Sequence, residues 1–343
     1  MPVIISKSSK FALVGHGFAL FHLFSEIVKK KLTRPIIITH EKKYHLRDLK
    51  QNKNDISIYR DISTLQRKTK IYYVKNFNYN TVKDILKKNK IDYIFSCSSR
   101  FLFKKDIINI FKNKIFNIHG SLLPEERAGS YSYRIFDAKY FCASTIHMID
   151  QGIDTGKIIL QTKKIKISKS SIPYNFLVQS CKCSLSLIKK FVNNISHNKK
   201  FNVKVQNHEK STYLPRFYTN IMGAIDWNWN GRFIEQFIKG CSKPYSGAFC
   251  YIIFKEKKYK VRIFNSKFFK TKSNHPVLNG KIFFQNNKII KVYVNDGYII
   301  IKFSDITIEK KILLKNFFGK TFFNNSDELL KAKILIPNTF KYK

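Results

Sequence analysis

The sequence predicts an α/β fold: a largely parallel domain followed by a small β-rich, barrel-like domain. Three observations carry that reading. Between residues 11 and 192, short apolar runs alternate with amphipathic helical stretches. The first run ends in a glycine turn that leads into the first helix, as βα units do. From residue 248 onward, short β-rich runs follow one another with hairpin turns and no helix between them. The expected layout is a first domain over residues 8–210, a connecting segment over 211–247 and a β-rich domain over 248–343.

The elements follow in order. Residues 11–14 (FALV) form a strand ending at Gly15-His16-Gly17, and residues 18–30 carry apolar positions at helical spacing with a basic end. Residues 36–39 (IIIT) and 71–74 are further strands, separated by a polar stretch (41–66) with room for a short helix. Residues 81–90 form an amphipathic helix whose lysines sit at its C-terminal end, the polarity its dipole favours. Residues 91–97 and 115–118 are buried strands with a helix at 106–111 between them. Strand 144–148 and a glycine-rich turn (150–156) precede strand 158–161. A long helix then covers 173–192, with Pro173 near its first turn. Residues 193–212 read as a polar linker or excursion, and residues 233–240 as a short helix closing on glycine. Five short strands (248–254, 259–264, 280–284, 289–294 and 298–303) suggest a small antiparallel barrel or curled sheet. The tail over 309–343 is Lys-rich, with a helix expected at 326–332.

A 343-residue chain that is 44% hydrophobic buries a sizeable core and is not intrinsically disordered. Lys+Arg is 64 against 22 for Asp+Glu, a net charge of +42. Such a field attracts polyanions such as tRNA or phosphorylated substrates. The lysines are nevertheless spread over nearly every segment, with abundant Asn, Ile, Phe and Tyr, which is also how compositional bias looks. The six cysteines form no CxxC pair and no Cys/His cluster with zinc spacing, so they read as free thiols of a cytoplasmic protein. No apolar run is long and clean enough for a membrane span. Gly15 and Gly17 supply two of the three glycines of a dinucleotide fingerprint, but position 20 is Leu and the second strand ends at Thr39-His40 with no acid. Nicotinamide binding is therefore disfavoured. His16 and His22 lie near the first helix, His40 and His45 show no acidic or cysteine partner at useful spacing, and no metal is expected.

The densest set of reactive side chains is Asn117, His119 and, past a turn, Asp154. These types suit acyl transfer to an amine. The carbonyl oxygen gains charge and needs a donor, the attacking nitrogen must lose a proton, and the leaving nitrogen must gain one. Asn117 and His119 lie two apart on a strand and share a face. A histidine closing a strand also caps turns, and an aspartate in a glycine-rich loop also forms them. Residue types alone leave both readings open.

The run NIHGSLLP (117–124), the spaced IDQGIDTGKIILQ (149–161) and the strand end SSRFL (98–102) resemble the folate-dependent formyltransferase family. That family includes methionyl-tRNA, glycinamide ribonucleotide and sugar N-formyltransferases. The resemblance is dense over residues 90–165 and loose over 11–90. It implies a Rossmann-like catalytic domain with Asn117, His119 and Asp154 as catalytic residues, and 10-formyltetrahydrofolate as cosubstrate. It also implies a pterin held between the backbone of Arg100, Phe101 and Leu102 and a loop containing Ile149, Asp150, Gly152 and Asp154. After Pro124 the chain reads EERAGSYSYR where tRNA enzymes carry a pattern like RYRGAAPIQ, and only Arg127 and Gly129 correspond. The HGS form at 119–121 resembles the formyltransferase half of a lipid A sugar-modifying enzyme. The acceptor implied is the primary amine of a nucleotide-linked amino (dideoxy) sugar for surface polysaccharide, with methionyl-tRNA as the alternative. A homodimer is left open. Residues 213–248 (YLPR, GAIDWNW and PYSGA among them) resemble the link into the C-terminal barrel of such enzymes, where Trp227, Trp229 and Tyr245 either pack or stack on a sugar or base.

Overall fold

The computed structural model describes residues 2–52, 55–78, 80–129, 131–308, 317–324 and 326–334. Parts of the Lys-rich tail (309–316, 325 and 335–343) therefore lie outside the described residues. The chain forms two compact units. The first comprises Met1–Ala128, Phe141–Lys166 and Leu177–Tyr213, and the second Gly129–Tyr140, Ile167–Phe176 and Leu214–Lys343.

The first unit is built on a seven-stranded sheet: β1 (Phe11–Gly15), β2 (Ile36–Thr39), β3 (Ile71–Tyr73), β4 (Tyr93–Cys97), β5 (Ile115–His119), β6 (Thr145–Met148) and β7 (Ile158–Gln161). Their spatial order is β3-β2-β1-β4-β5-β6-β7. The first five strands are mutually parallel, β6 pairs antiparallel with β5, and β7 pairs antiparallel with β6. The order reverses between β1 and β4, which opens a crevice at the C-terminal strand ends.

Period-two alternation divides the apolar residues between two cores. Phe11, Leu13, Phe95, Phe116 and Ile118 enter one core, with Leu20, Leu23 and Phe24 of α1 (Gly17–Lys29). Ala12, Val14, Ile94 and Ile115 enter the other, with Val82 and Leu86 of α3 (Asn80–Lys88) and Ile107 of α4 (Lys105–Ile110). The polar stretch after β2 holds α2 (Lys42–Gln51) and a 3₁₀ turn at Ile62–Leu65. Gly15 has φ +124°, and a Cβ there would lie 2.0 Å from the Cys97 carbonyl oxygen. Only glycine lets β1 end this close to β4.

Residues 193–212 are not a linker. The long helix α5 (Pro173–Ser196) extends into them, and its Leu187, Phe191 and Ile195 join the first core. Phe201 then pairs with Val3, and Lys204 with Ile158. The excursion is an integral edge of the first unit, held by backbone pairing that composition does not reveal.

In the second unit, antiparallel strands form two sheets. One joins β8 (Ala248–Phe254), β9 (Lys257–Ile263) and β14 (Ile306–Ile308). The other joins β10 (Lys267–Lys270), β13 (Gly297–Lys302), β12 (Ile289–Val294) and β11 (Ile282–Gln285). The unit is β-rich as expected, with β10 and β14 beyond the five anticipated strands. The first, KFFK, is closed at both ends by lysine, and the second, ITI, is only three residues long. Ile252, Val261, Ile290, Val292 and Ile299 fill its core. Trp227 is buried there and stacks on Phe322 at 5.5 Å between centroids, so it packs and is not free to stack on a ligand. No helix among the described residues is long and apolar enough to cross a membrane.

Candidate active site

Alternation along β5 sends Phe116 and Ile118 into the core and leaves Asn117 and His119 on the opposite face at the strand end. The antiparallel return of β6 places His147 directly opposite Asn117 and Thr145 opposite His119. The loop after β6 then doubles back. Gly156 makes this possible, because a Cβ there would lie 1.9 Å from the Met148 carbonyl oxygen. The doubled loop carries Asp154 over both histidines.

Asn117, His119 and Asp154 therefore converge, as expected, and His147 joins them. His119 Nδ1 lies 3.5 Å from Asp154 Oδ2, and His147 Nε2 lies 3.3 Å from Asp154 Oδ1. Asn117 Nδ2 is 3.1 Å from His147 Nε2. The Ala128 N–H donates to Asp154 Oδ2 at 2.9 Å.

Neighbouring carbonyls assign the protons. His147 Nδ1 donates to the Met148 carbonyl at 2.7 Å, so Nε2 accepts from the Asn117 amide when the ring is neutral and donates to Asp154 Oδ1 when the ring is protonated. His119 Nε2 donates to the Glu126 carbonyl at 2.8 Å, beside Ser121 Oγ at 2.9 Å. Its Nδ1 is thus the atom that faces the carboxylate. Burial alone would raise the Asp154 pKa, but His119, His147 and the Ala128 N–H together hold the carboxyl well below the usual range. A carboxylate so held beside an imidazole can share a proton with it.

The segment expected to hold the pterin follows β4, the parallel neighbour of β5, with Ser96 beside Asn117. The Phe101 N–H is taken by Ser99 Oγ at 3.0 Å, and the Leu102 carbonyl by Asn78 Nδ2 at 2.9 Å. The Leu102 N–H and the Arg100 carbonyl make no hydrogen bond among the described residues. This backbone edge suits a ring with donors and acceptors on its rim. Phe101 and Ile149 pack against the same core. Asp150 caps its own loop, accepting from the Gly152 N–H at 3.1 Å and from the Thr155 hydroxyl. Ile153 and Leu102 are exposed.

The Arg100 side chain turns away and grips Asp48, with Nη2 at 2.7 and 2.8 Å from its two oxygens. His16 lies 3.4 Å and His40 4.0 Å from the same carboxylate. The histidines thus do have an acidic partner. It comes from α2, and linear spacing does not reveal it. Burial, then Arg100, lowers the His16 pKa to about 4. Burial, then His16, lowers that of His40 to about 3. Among the described residues, no group of three or more His, Cys, Asp or Glu side chains is placed to hold a metal.

Sequence reasoning missed His147, Gln206 and Asp48. His147 had a signal, since it alternates with Thr145 on a strand. Gln206, buried against the Asp154 loop, had none.

Comparisons with known proteins bear on the family and the fold. The family model described as formyl transferase matches residues 12–172, and that described as formyl transferase, C-terminal domain, matches residues 219–321. The bifunctional polymyxin resistance protein ArnA of Wigglesworthia glossinidia brevipalpis is 32% identical over 205 residues, or 60% of this chain. The chain spans only 30% of that relative's length. The methionyl-tRNA formyltransferase of Finegoldia magna is 28% identical over 228 residues, covering 66% of this chain and 70% of the relative. The solved structure of WlaRD, a sugar 3N-formyl transferase in the presence of dTDP and 5-N-formyl-THF, has a similar fold. Its TM-score is 0.61 at 19% identity, covering 89% of this chain and 99% of that one.

Proposed function

We propose that this chain, which belongs to the formyl transferase family, moves a formyl group from 10-formyltetrahydrofolate to the primary amine of a nucleotide-linked amino sugar. The observation that carries the reading is the convergence of Asn117, His119 and Asp154 beside an open backbone edge at Arg100 and Leu102. Support for the acceptor comes from the sugar 3N-formyl transferase of similar fold and from the HGS form at 119–121, which resembles the formyltransferase half of a lipid A sugar-modifying enzyme. Surface polysaccharide synthesis in the cytoplasm is the setting this reading implies.

The bound folate supplies an activated formyl group. The remaining work falls to the protein. Overall, the amine nitrogen forms a bond to the formyl carbon, the bond from that carbon to the folate nitrogen breaks, and one proton passes from amine to folate nitrogen. His147 accepts one N–H of the Asn117 amide and so orients it, leaving the second N–H for the formyl oxygen as charge gathers there. His119 is fixed through Nε2, so proton exchange runs through Nδ1 and Asp154. That pair receives the proton from the attacking amine and returns it to the leaving nitrogen. Arg100, Phe101, Leu102, Ile149, Asp150 and Gly152 form the pterin cleft.

Methionyl-tRNA is the competing acceptor, favoured by the Finegoldia relative and the +42 charge. A panel assay decides between them. Formylation of at least one nucleotide-linked amino sugar, with little formylation of methionyl-tRNA, is the expected result. Faster turnover on the tRNA would reverse the assignment.

A further inference from the structure

Asp154 has φ +54°, and Ala128, whose N–H holds its carboxylate, has φ +58°. Neither is glycine. Residues in this region persist only where their surroundings over-determine them. The surroundings here are a buried polar chain that no step of the mechanism uses.

Gln206 is 4% exposed and Arg127 is 7% exposed. Gln206 Nε2 donates to the Asp154 carbonyl at 2.8 Å and to the Gly156 carbonyl at 2.7 Å, so one amide clasps the returning limb of the doubled loop at two points. Its Oε1 accepts from Arg127 Nη2 at 3.0 Å and from Nε at 3.3 Å. A guanidinium only donates, so Arg127 dictates which end of the amide faces the loop. Arg127 Nη2 also meets His208 Nδ1 at 3.1 Å. Backbone pairing of Lys204 with Ile158 fixes the segment that carries Gln206. Arg127 immediately precedes Ala128, so the same anchor reaches Asp154 twice: through Gln206 to its carbonyl and through the Ala128 N–H to its carboxylate.

From this geometry we infer that Arg127 and Gln206 are positioning residues, a tether that aims the Asp154 carboxylate at His119. The inference rests on the proton-transfer reading above. Gln206→Glu tests it with little change of shape, because a carboxylate still accepts from Arg127 but cannot donate to the two carbonyls. Single-turnover formyl transfer at saturating donor and acceptor is expected to fall at least about tenfold, with binding of a non-hydrolysable folate analogue changed less than about threefold. The decisive measurement is a double-mutant cycle with Asp154→Asn. A tether acting through the Asp154 carboxylate has little left to do once the carboxylate is gone, so Gln206→Glu should then cost less than about twofold more. A merely structural role would cost the same in both backgrounds, and additive losses overturn the inference. If Gln206→Glu does not fold, Arg127→Lys, which keeps the charge and loses the fork, enters the same cycle. A wild-type rate for folded Gln206→Glu beside a slow Asp154→Asn removes the tether alone. A wild-type rate for Asp154→Asn removes the proton-transfer reading with it.

Discussion

Asp154→Asn is the cleanest single perturbation of the site. Asparagine tolerates the left-handed conformation that residue 154 adopts at φ +54°, so the loop need not move. Its side-chain oxygen can still accept the Ala128 N–H, though without charge assistance. What disappears is the anion 3.5 Å from His119 Nδ1 and 3.3 Å from His147 Nε2. A proton on His119 Nδ1 then has no carboxylate to share it. Loss of a positioned acid–base group typically costs about 10²–10⁴ in rate, or about 3–5 kcal/mol in barrier height. Turnover of Asp154→Asn is expected to fall at least about 100-fold. The assay is single-turnover formyl transfer with both substrates saturating, alongside circular dichroism to establish that the variant is folded. A folded variant within about threefold of the parent rate would refute the role given to the carboxylate.

Asn117→Ala and His119→Ala should each lose at least about 100-fold in turnover while still binding a folate analogue, because the cleft is mainly backbone; calorimetric titration beside rate measurement separates the two effects. Stability should also depend on Asp154 through pH. Its folded-state pKa lies below the unfolded value of about 3.9. The stabilisation is therefore complete at neutral pH and is lost as pH falls below that value toward the folded one. Urea unfolding should show Asp154→Asn less stable than the parent at neutral pH, with the gap narrowing on acidification below about pH 4. Gly156→Ala should be strongly destabilised or insoluble, because its Cβ would lie 1.9 Å from a backbone oxygen that cannot move freely; a normal melting temperature would show that the loop adapts.

Much of the first unit was legible because its signals are local. Alternation in FALV and IFNIH assigns each residue to one of two faces, and that rule put Asn117 and His119 side by side. The short strands β10 and β14 were not legible, since KFFK is closed at both ends by lysine and ITI is only three residues long. Whether segment 193–212 is a linker or an excursion stayed open, because backbone pairing with Val3 and Ile158 leaves no mark on composition.

The α/β class and the β-rich second unit were legible in the sequence because they follow from periodicity, whereas the choice of Asn117, His119 and Asp154 stood on the family resemblance of the motifs around them. Only the tertiary structure decided how the three are held. His147 reaches Asn117 across 30 residues, Gln206 reaches Asp154 across 52, and Arg127 reaches Gln206 across 79. Asp48 meets Arg100 across another 52. Such partners are chosen by strand register and chain return, so no local pattern encodes them. A buried polar group finds its hydrogen bond wherever the fold brings a partner within reach.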